Sequence, residues 1–232
     1  MDLQRQYEDD FAMTQQFAIV TFMNKVYAWM TVGLVVTAVT AFAINASQVS
    51  IPPAMMLISL AGAIGLVFFL SWTAQRLPAA VAIGGYLLFA VLEGIFFSLI
   101  FLRYPMATIS MTFFVTAGLF GFMAIYGTIT KKDLSGVGSL CFMGLIGILL
   151  AILAQFVVGR VFGYDTGPLN LIISIVGVVV FIGLTAYDAQ KIKQMSLAGE
   201  TSTGLVITGA LALYLDFINL FLFLLRIFGS RD

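Results

Sequence analysis

The chain has 232 residues, of which 61% are hydrophobic and 9% are charged. Soluble domains usually contain about 45–50% apolar and about 25% charged residues, so this composition excludes an ordinary water-soluble domain. The 11 basic and 11 acidic residues balance, which gives no electrostatic reason to expect binding to nucleic acid. The lipid bilayer is therefore the expected partner of most of the protein surface.

Seven apolar stretches are each long enough to cross a bilayer, which takes about 20 residues as a helix. They are Val26–Ala46, Ile51–Trp72, Ala79–Leu102, Ala107–Thr130, Val137–Val158, Leu169–Tyr187 and Gly204–Leu225. The apolar runs are continuous rather than alternating, which favours helices over barrel strands. Prolines lie only at or just before the start of a stretch, where a helix tolerates them, at Pro52, Pro53, Pro78, Pro105 and Pro168. The sequence predicts an all-α membrane protein folded as a seven-transmembrane-helix bundle.

The chain divides into a polar N-terminal segment, residues 1–25, and a transmembrane domain, residues 26–232. The segment contains Glu8, Asp9 and Asp10 and lacks the basic start and short apolar core of a cleaved signal peptide. A cytoplasmic N-terminus places more basic residues inside than outside, as the positive-inside rule favours. The inside residues are Arg5, Lys25, Arg76, Lys131, Lys132, Lys191 and Lys193, and the outside residues are Arg103, Arg160, Arg226 and Arg231. We expect a multi-pass membrane protein with a cytoplasmic N-terminus and an external C-terminus.

Glycines recur at three-residue spacing inside three of the stretches. Because small residues let membrane helices approach closely, this spacing predicts helix-packing positions. The pairs are Gly62 and Gly65, Gly118 and Gly121, and Gly144 and Gly147.

The missing residue types exclude several kinds of chemistry. The chain has no histidine and a single cysteine, Cys141, which excludes intrachain disulfides, histidine–cysteine metal sites and histidine-dependent nucleophilic catalysis. The last stretch lacks the lysine that a retinal protein needs. Two carboxylates alone can still do acid–base work, but we expect a protein that is not an enzyme and holds no cofactor.

Only two of the 22 charged residues, Glu93 and Asp216, lie inside the apolar stretches. A charge at the bilayer centre costs at least about 2.5–3.5 kcal/mol, so an acid there is by default a functional candidate. At 100° per residue, Asp216 shares one helical face with a stripe of small and polar residues. The stripe consists of Thr208, Gly209, Ala212, Asn219 and Arg226. Such a stripe is typical of a helix that lines a cavity or closes a polar seam, and a structural hydrogen bond between helices is the alternative.

Asp188 ends the sixth stretch, where it is either an interfacial carboxylate near Lys191 or a functional group. By stretch position Asp188 lies near the inner surface and Asp216 near the middle, so tilt or a late helix start has to bring them together. Glu93 must face the interior, be protonated or find a partner. Arg76 is a snorkelling interfacial arginine by default and the inner arginine able to reach Asp188.

Three segments carry a resemblance to a known family: Leu184–Lys193, Leu213–Phe221 with the following Leu225–Gly229, and the loop Lys131–Ser135. They resemble the signatures of the transmembrane Bax inhibitor motif family, in particular its bacterial members, and the resemblance covers essentially the whole chain. It implies a seven-helix bundle with the last helix central and a pH-sensitive calcium leak. Calcium is then the permeant ion rather than a cofactor at a fixed metal site.

The same resemblance implies roles for particular residues. Asp188 and Asp216 become a paired-aspartate pH sensor and gate with transient cation contact, and Arg76 becomes its latch. Arg226 matches an arginine that in some members pairs with an acid of the second helix. Here Gly65 occupies that place, so Arg226 either pairs with Glu93 or reaches the outer interface. Glu93, Asn219 and Arg226 are the supporting polar residues.

Two carboxyl groups in contact in a low-dielectric site do not easily both ionise, so they share a proton. This favours a gate in which losing or rearranging the proton separates the aspartates and moves the last helix. The resemblance also implies an alternative function, because bacterial relatives are linked to a membrane-bound AAA protease. In this alternative the protein is a non-conducting regulatory protein that binds such a protease through the acidic N-terminal segment. A proton-coupled transporter also uses two acids, but the chain has no repeat halves to support it.

Overall fold

A computed structural model describes residues 2–49, 51–162, 167–197 and 202–229, and Arg5, Arg160 and Arg231 from the charge count lie outside its described side chains. The helices are α1 (Asp2–Ala46), α2 (Pro53–Thr73), α3 (Ala79–Arg103), α4 (Met106–Ile129), α5 (Ser135–Phe162), α6 (Gly167–Leu197) and α7 (Thr203–Gly229). A short 3-10 helix, Ala74–Arg76, follows α2. No strand occurs in these ranges, and all seven α-helices are long and apolar enough to cross a membrane. The predicted fold class is confirmed.

Two helices extend well beyond the predicted stretches. α1 begins at Asp2 rather than near Val26, so the first helix also runs through residues 2–25. α6 continues past Tyr187 to Leu197. In both cases charged and amide side chains end the apolar run but not the helix, because Glu, Gln and Lys are good helix formers. Hydropathy therefore located the membrane-crossing parts and underestimated the helices.

The chain forms two compact units. The first contains Met1–Leu99 and Lys191–Tyr214, and the second contains Ile100–Gln190 and Leu215–Asp232. The first unit thus holds α1, α2, most of α3 and the first half of α7. The second holds α4, α5, most of α6 and the second half of α7. Helices α3, α6 and α7 each contribute to both units.

α7 is the most buried helix. In its most apolar 18-residue segment, 72% of the residues are buried, whereas the corresponding share is 39% or less in each of the other six spans. In the second unit, the ring of Phe217 lies 5.6 Å from that of Phe113 and 5.5 Å from that of Phe120. The ring of Phe223 packs 5.8 Å from that of Phe181 in α6. The prediction that the last helix lies inside the protein is confirmed.

The predicted glycine packing positions are mostly wrong. Beside Gly65, Gly118, Gly121 and Gly147 a methyl group would meet no atom within 4 Å outside the local helix, whereas Gly62 and Gly144 do face Leu92 and Val180 side chains. The closest backbone approach in the second unit is elsewhere, where Gly127 of α4 packs directly on the carbonyl oxygen of Ala186 in α6. Spacing alone does not show which side of an apolar helix faces protein.

Gly127 and Gly118 offer a matched test of this packing within α4. A methyl group at Gly127 overlaps the Ala186 backbone, so Gly127→Ala should lower the free energy of unfolding by about 1–3 kcal/mol, the range for overpacking. Gly118→Ala enters open space and should leave stability unchanged or raise it by up to about 1 kcal/mol through helix propensity. Thermal unfolding in detergent measures both variants, and equal stability of the two would contradict this packing.

Candidate functional site

The Asp216 side chain is buried in the middle of the most buried helix. It is 4% exposed, and its Oδ2 atom has no hydrogen-bond partner among the residues that the structure describes. An unsatisfied buried oxygen costs about 1–3 kcal/mol, and a buried unpaired carboxylate costs far more. Such a group is rare unless it has a function or an additional partner.

Asp188 of α6 is the acid that acts on Asp216. Both residues belong to the second unit, and their carboxyl groups are close enough to interact electrostatically. Asp188 itself is half-buried, and the Ala189 that follows it is fully buried. Both acids that the sequence singled out thus lie in one compact unit, and a shared proton between them is a prediction. Their role as a pH sensor stays a prediction.

The unexpected length of α6 explains how the two acids reach similar depths. Asp188 lies nine residues before the end of α6 at Leu197, and Asp216 lies thirteen residues after the start of α7 at Thr203. At 1.5 Å per residue the difference is about 6 Å, roughly one helical turn. The apparent gap in depth arose because the predicted sixth stretch ended at Tyr187.

Asn219, predicted as a supporting polar residue, uses its amide within its own helix. Its Nδ2 atom donates to the carbonyl oxygen of Leu215 at 2.8 Å. The apolar face of α7 is buried as thoroughly as the polar stripe, since Phe217, Phe221, Leu224 and Leu225 are all buried. The stripe therefore does not mark the only side of α7 that faces protein.

A buried glutamine that the sequence analysis missed anchors the loop between α4 and α5. Gln190 of α6 accepts a hydrogen bond from the backbone N–H of Leu134 at 2.8 Å and donates one to the carbonyl oxygen of Lys132 at 2.8 Å. The start of α5 is capped by Asp133, because its carboxylate accepts hydrogen bonds from the Ser135 hydroxyl and backbone N–H. These two bonds lower the pKa of the exposed Asp133 carboxyl.

The first unit contains a second polar cluster that the sequence analysis also missed. The Thr37 hydroxyl of α1 donates to the carbonyl oxygen of Ala90 in α3 at 2.9 Å and lies 2.7 Å from the hydroxyl of Tyr214 in α7. Because the Thr37 hydroxyl already donates its proton to the Ala90 carbonyl oxygen, the Tyr214 hydroxyl is the donor in the second hydrogen bond. Thr37 and Tyr214 are 3% and 0% exposed, so this chain of hydrogen bonds ties the first half of α7 to α1 and α3.

Glu93 lies beside this second cluster. It is half-buried on α3, one turn from the buried Ala90, and its carboxyl interacts electrostatically with Tyr214. The ring of Tyr86 lies 6.4 Å from that of Tyr214. The Tyr86 hydroxyl donates a hydrogen bond to the carbonyl oxygen of Trp29 at 3.0 Å. Of the three possibilities left open for Glu93, facing the interior is the one its surroundings fit.

The two arginines of the predicted site, Arg76 and Arg226, lie at helix ends. Arg76 is the last residue of the 3-10 helix after α2, and its side chain is exposed. Arg226 is half-buried near the end of α7, with its guanidinium carbon 5.4 Å from the centre of the Phe223 ring. The latch role of Arg76 stays a prediction.

These features define a class: a multi-pass helical membrane protein with a buried acid in its most buried helix. Comparison with known proteins supports this assignment to a class of membrane proteins. The family model described as inhibitor of apoptosis-promoting Bax1 matches residues 19–232, so the chain belongs to the Bax inhibitor-like family, as the resemblance implied.

Individual relatives cover nearly the whole chain. Inner membrane protein YbhL of Escherichia coli is 47% identical over 221 residues, covering 91% of this chain and 92% of the relative. An uncharacterized protein of Deinococcus radiodurans is 42% identical over 235 residues, covering 95% and 96% of the two chains. The seven apolar helices and the Escherichia coli relative together indicate a multi-pass inner membrane protein.

The Thr37–Tyr214 bond can be tested by unequal truncation. Thr37→Val strands the buried Tyr214 hydroxyl and should cost about 1–3 kcal/mol of unfolding free energy, whereas Tyr214→Phe leaves Thr37 bonded to Ala90 and should cost about 0.5–1.5 kcal/mol. The double variant should lose less than the sum of the two. Thr31→Val, at an exposed threonine of the same helix, is the control. Additive effects, measured by unfolding in detergent, would contradict the bond.

Proposed function

We propose that this protein is a pH-sensitive cation leak channel, with calcium as the permeant ion, gated by Asp188 and Asp216. The observation that supports the proposal most is the buried Asp216 carboxyl, whose Oδ2 atom lacks a hydrogen-bond partner within the described residues while the Asp188 carboxyl acts on it. Two acids in a low-dielectric site respond to pH as a pair. With no histidine in the chain, buried carboxyls are the natural groups for a response near neutral pH.

The proposed gate works through like-charge repulsion. While the two carboxyl groups share one proton, they hold α6 and α7 together at this depth. When that proton is lost, two carboxylates repel each other and the segment of α7 that carries Asp216 shifts. The same carboxylate oxygens then offer transient contacts to a hard cation such as calcium, which prefers oxygen ligands. The protein needs no cofactor and catalyses no reaction in this account.

Calcium flux into proteoliposomes across a pH series tests this proposal. Wild-type flux should change with pH, and both Asp216→Asn and Asp188→Asn should abolish that change, because neither variant retains two carboxyls that can share a proton. Asp133→Asn is the matched control: its lowered pKa keeps it ionised throughout the series, so its removal should leave the pH curve unaltered. The same pH curve in wild type and both variants would remove the sensor.

A second candidate function is regulation by partner binding, and the length of α1 favours it. A helix of 45 residues is about 67 Å long, whereas a bilayer with its head groups is about 40–45 Å thick. A few turns of α1 therefore extend beyond the membrane, because its candidate span begins only at Met13. In this alternative the extension binds a membrane-bound AAA protease and the protein does not conduct.

Deleting residues 1–12 separates the two functions, because the candidate span of α1 begins at Met13. The channel predicts that calcium flux and its pH dependence survive the deletion. The regulatory protein predicts that copurification with the protease is lost while the fold persists. If calcium flux disappeared in a deletion variant whose thermal stability is unchanged, this would contradict the proposed channel.

A further inference from the structure

A cluster of two arginines and a tyrosine lies at the C-terminal end of α7, on a side of the second unit that the proposed gate does not use. Arg103 is the last residue of α3, and Tyr104 follows it before α4 begins at Met106. Gly229, the last residue of α7, packs its backbone directly against the Tyr104 ring. This contact brings the end of α7 against the turn between α3 and α4.

The two arginine charges are close together. The guanidinium of Arg226 is close enough to Arg103 and Tyr104 to interact with both electrostatically. Each arginine also lies near an aromatic ring: Arg226 over Phe223 at 5.4 Å and Arg103 near Tyr104 at 6.0 Å. Aromatic rings orient a guanidinium but do not neutralise it. The pair thus keeps two positive charges that repel each other.

The position of the cluster along the helices places it at a membrane surface. Arg103 ends α3, and Arg226 lies three residues before the end of α7. Long basic side chains at such positions reach towards the head groups, and tyrosines are enriched at the same level. Arg103 is exposed and Arg226 is half-buried, so an anion arriving from the lipid side can contact both.

The chemistry of the pair selects a phosphate. A guanidinium is planar and forms two parallel hydrogen bonds to phosphate oxygens, so two of them fit one phosphate group with several oxygens. A phenol hydroxyl beside them supplies a further donor. We propose that Arg103, Arg226 and Tyr104 bind the phosphate of an anionic phospholipid head group. The bound lipid neutralises the repulsion between the arginines and holds the end of α7 at the membrane surface.

Native mass spectrometry of the detergent-purified protein, titrated with phosphatidylglycerol or phosphatidylcholine, tests this site. Wild type should retain phosphatidylglycerol in preference to phosphatidylcholine. Arg103→Gln and Arg226→Gln should each bind phosphatidylglycerol about tenfold more weakly, because each loses a charge-assisted pair of hydrogen bonds. Arg226→Lys keeps the positive charge but lacks the planar set of donors. Its affinity for phosphatidylglycerol should therefore lie between those of wild type and Arg226→Gln. Lys131→Gln, at an exposed lysine of the α4–α5 loop, should match wild type.

Thermal unfolding with inorganic phosphate in place of lipid distinguishes a head group from a soluble anion. Phosphatidylglycerol should raise the Tm of wild type, and millimolar phosphate should not. Equal protection by phosphate, equal retention of the two lipids, or unchanged phosphatidylglycerol binding in both glutamine variants would each overturn the assignment. Arg103 is exposed, so Arg103→Gln keeps the test decisive if Arg226→Gln does not fold.

Discussion

The burial of one carboxyl group, that of Asp216, is the constraint on which the rest of the account depends. A helix that carries an acid at this depth is costly in lipid, so α7 has to lie among other helices, and it is the most buried of the seven. The same cost requires a neighbour that can share a proton or a charge. Asp188 of α6 acts on it, and this interaction is the physical basis of the proposed pH response.

α7 connects two polar clusters that belong to different units. Tyr214 bonds to Thr37 in the first unit, and Asp216 interacts with Asp188 in the second. The two residues are two positions apart, so their side chains leave the helix in directions about 160° apart. In the proposed gate, the segment of α7 that carries Asp216 is the part that moves.

The sequence predicts the seven membrane-crossing stretches and the depth of Asp216 well, because both follow from the cost of polar groups in lipid. It predicts less about which residues touch. Most of the helices are apolar on all sides, and such helices do not reveal their protein-facing side. The glycine pairs of α4 and α5 were therefore misread while the contact at Gly127 was missed. Gln190 and Thr37 were missed because uncharged polar residues cost little to bury and so do not stand out in the sequence. The end of α6 was misplaced because residues with high helix propensity continue the helix after the apolar run ends.

Infrared spectroscopy of aspartate-labelled protein in lipid bilayers tests the central interaction most directly. Carbon-13 in the aspartate carboxyl separates its carbonyl band from that of Glu93, so the protonated Asp216–Asp188 pair can be followed during a pH titration. The account predicts a protonated aspartate band that titrates in wild type, disappears in Asp216→Asn and titrates at a more acidic pH in Asp188→Asn, where the like-charged neighbour is gone. An identical titration in wild type and Asp188→Asn would show that the two carboxyls do not share a proton.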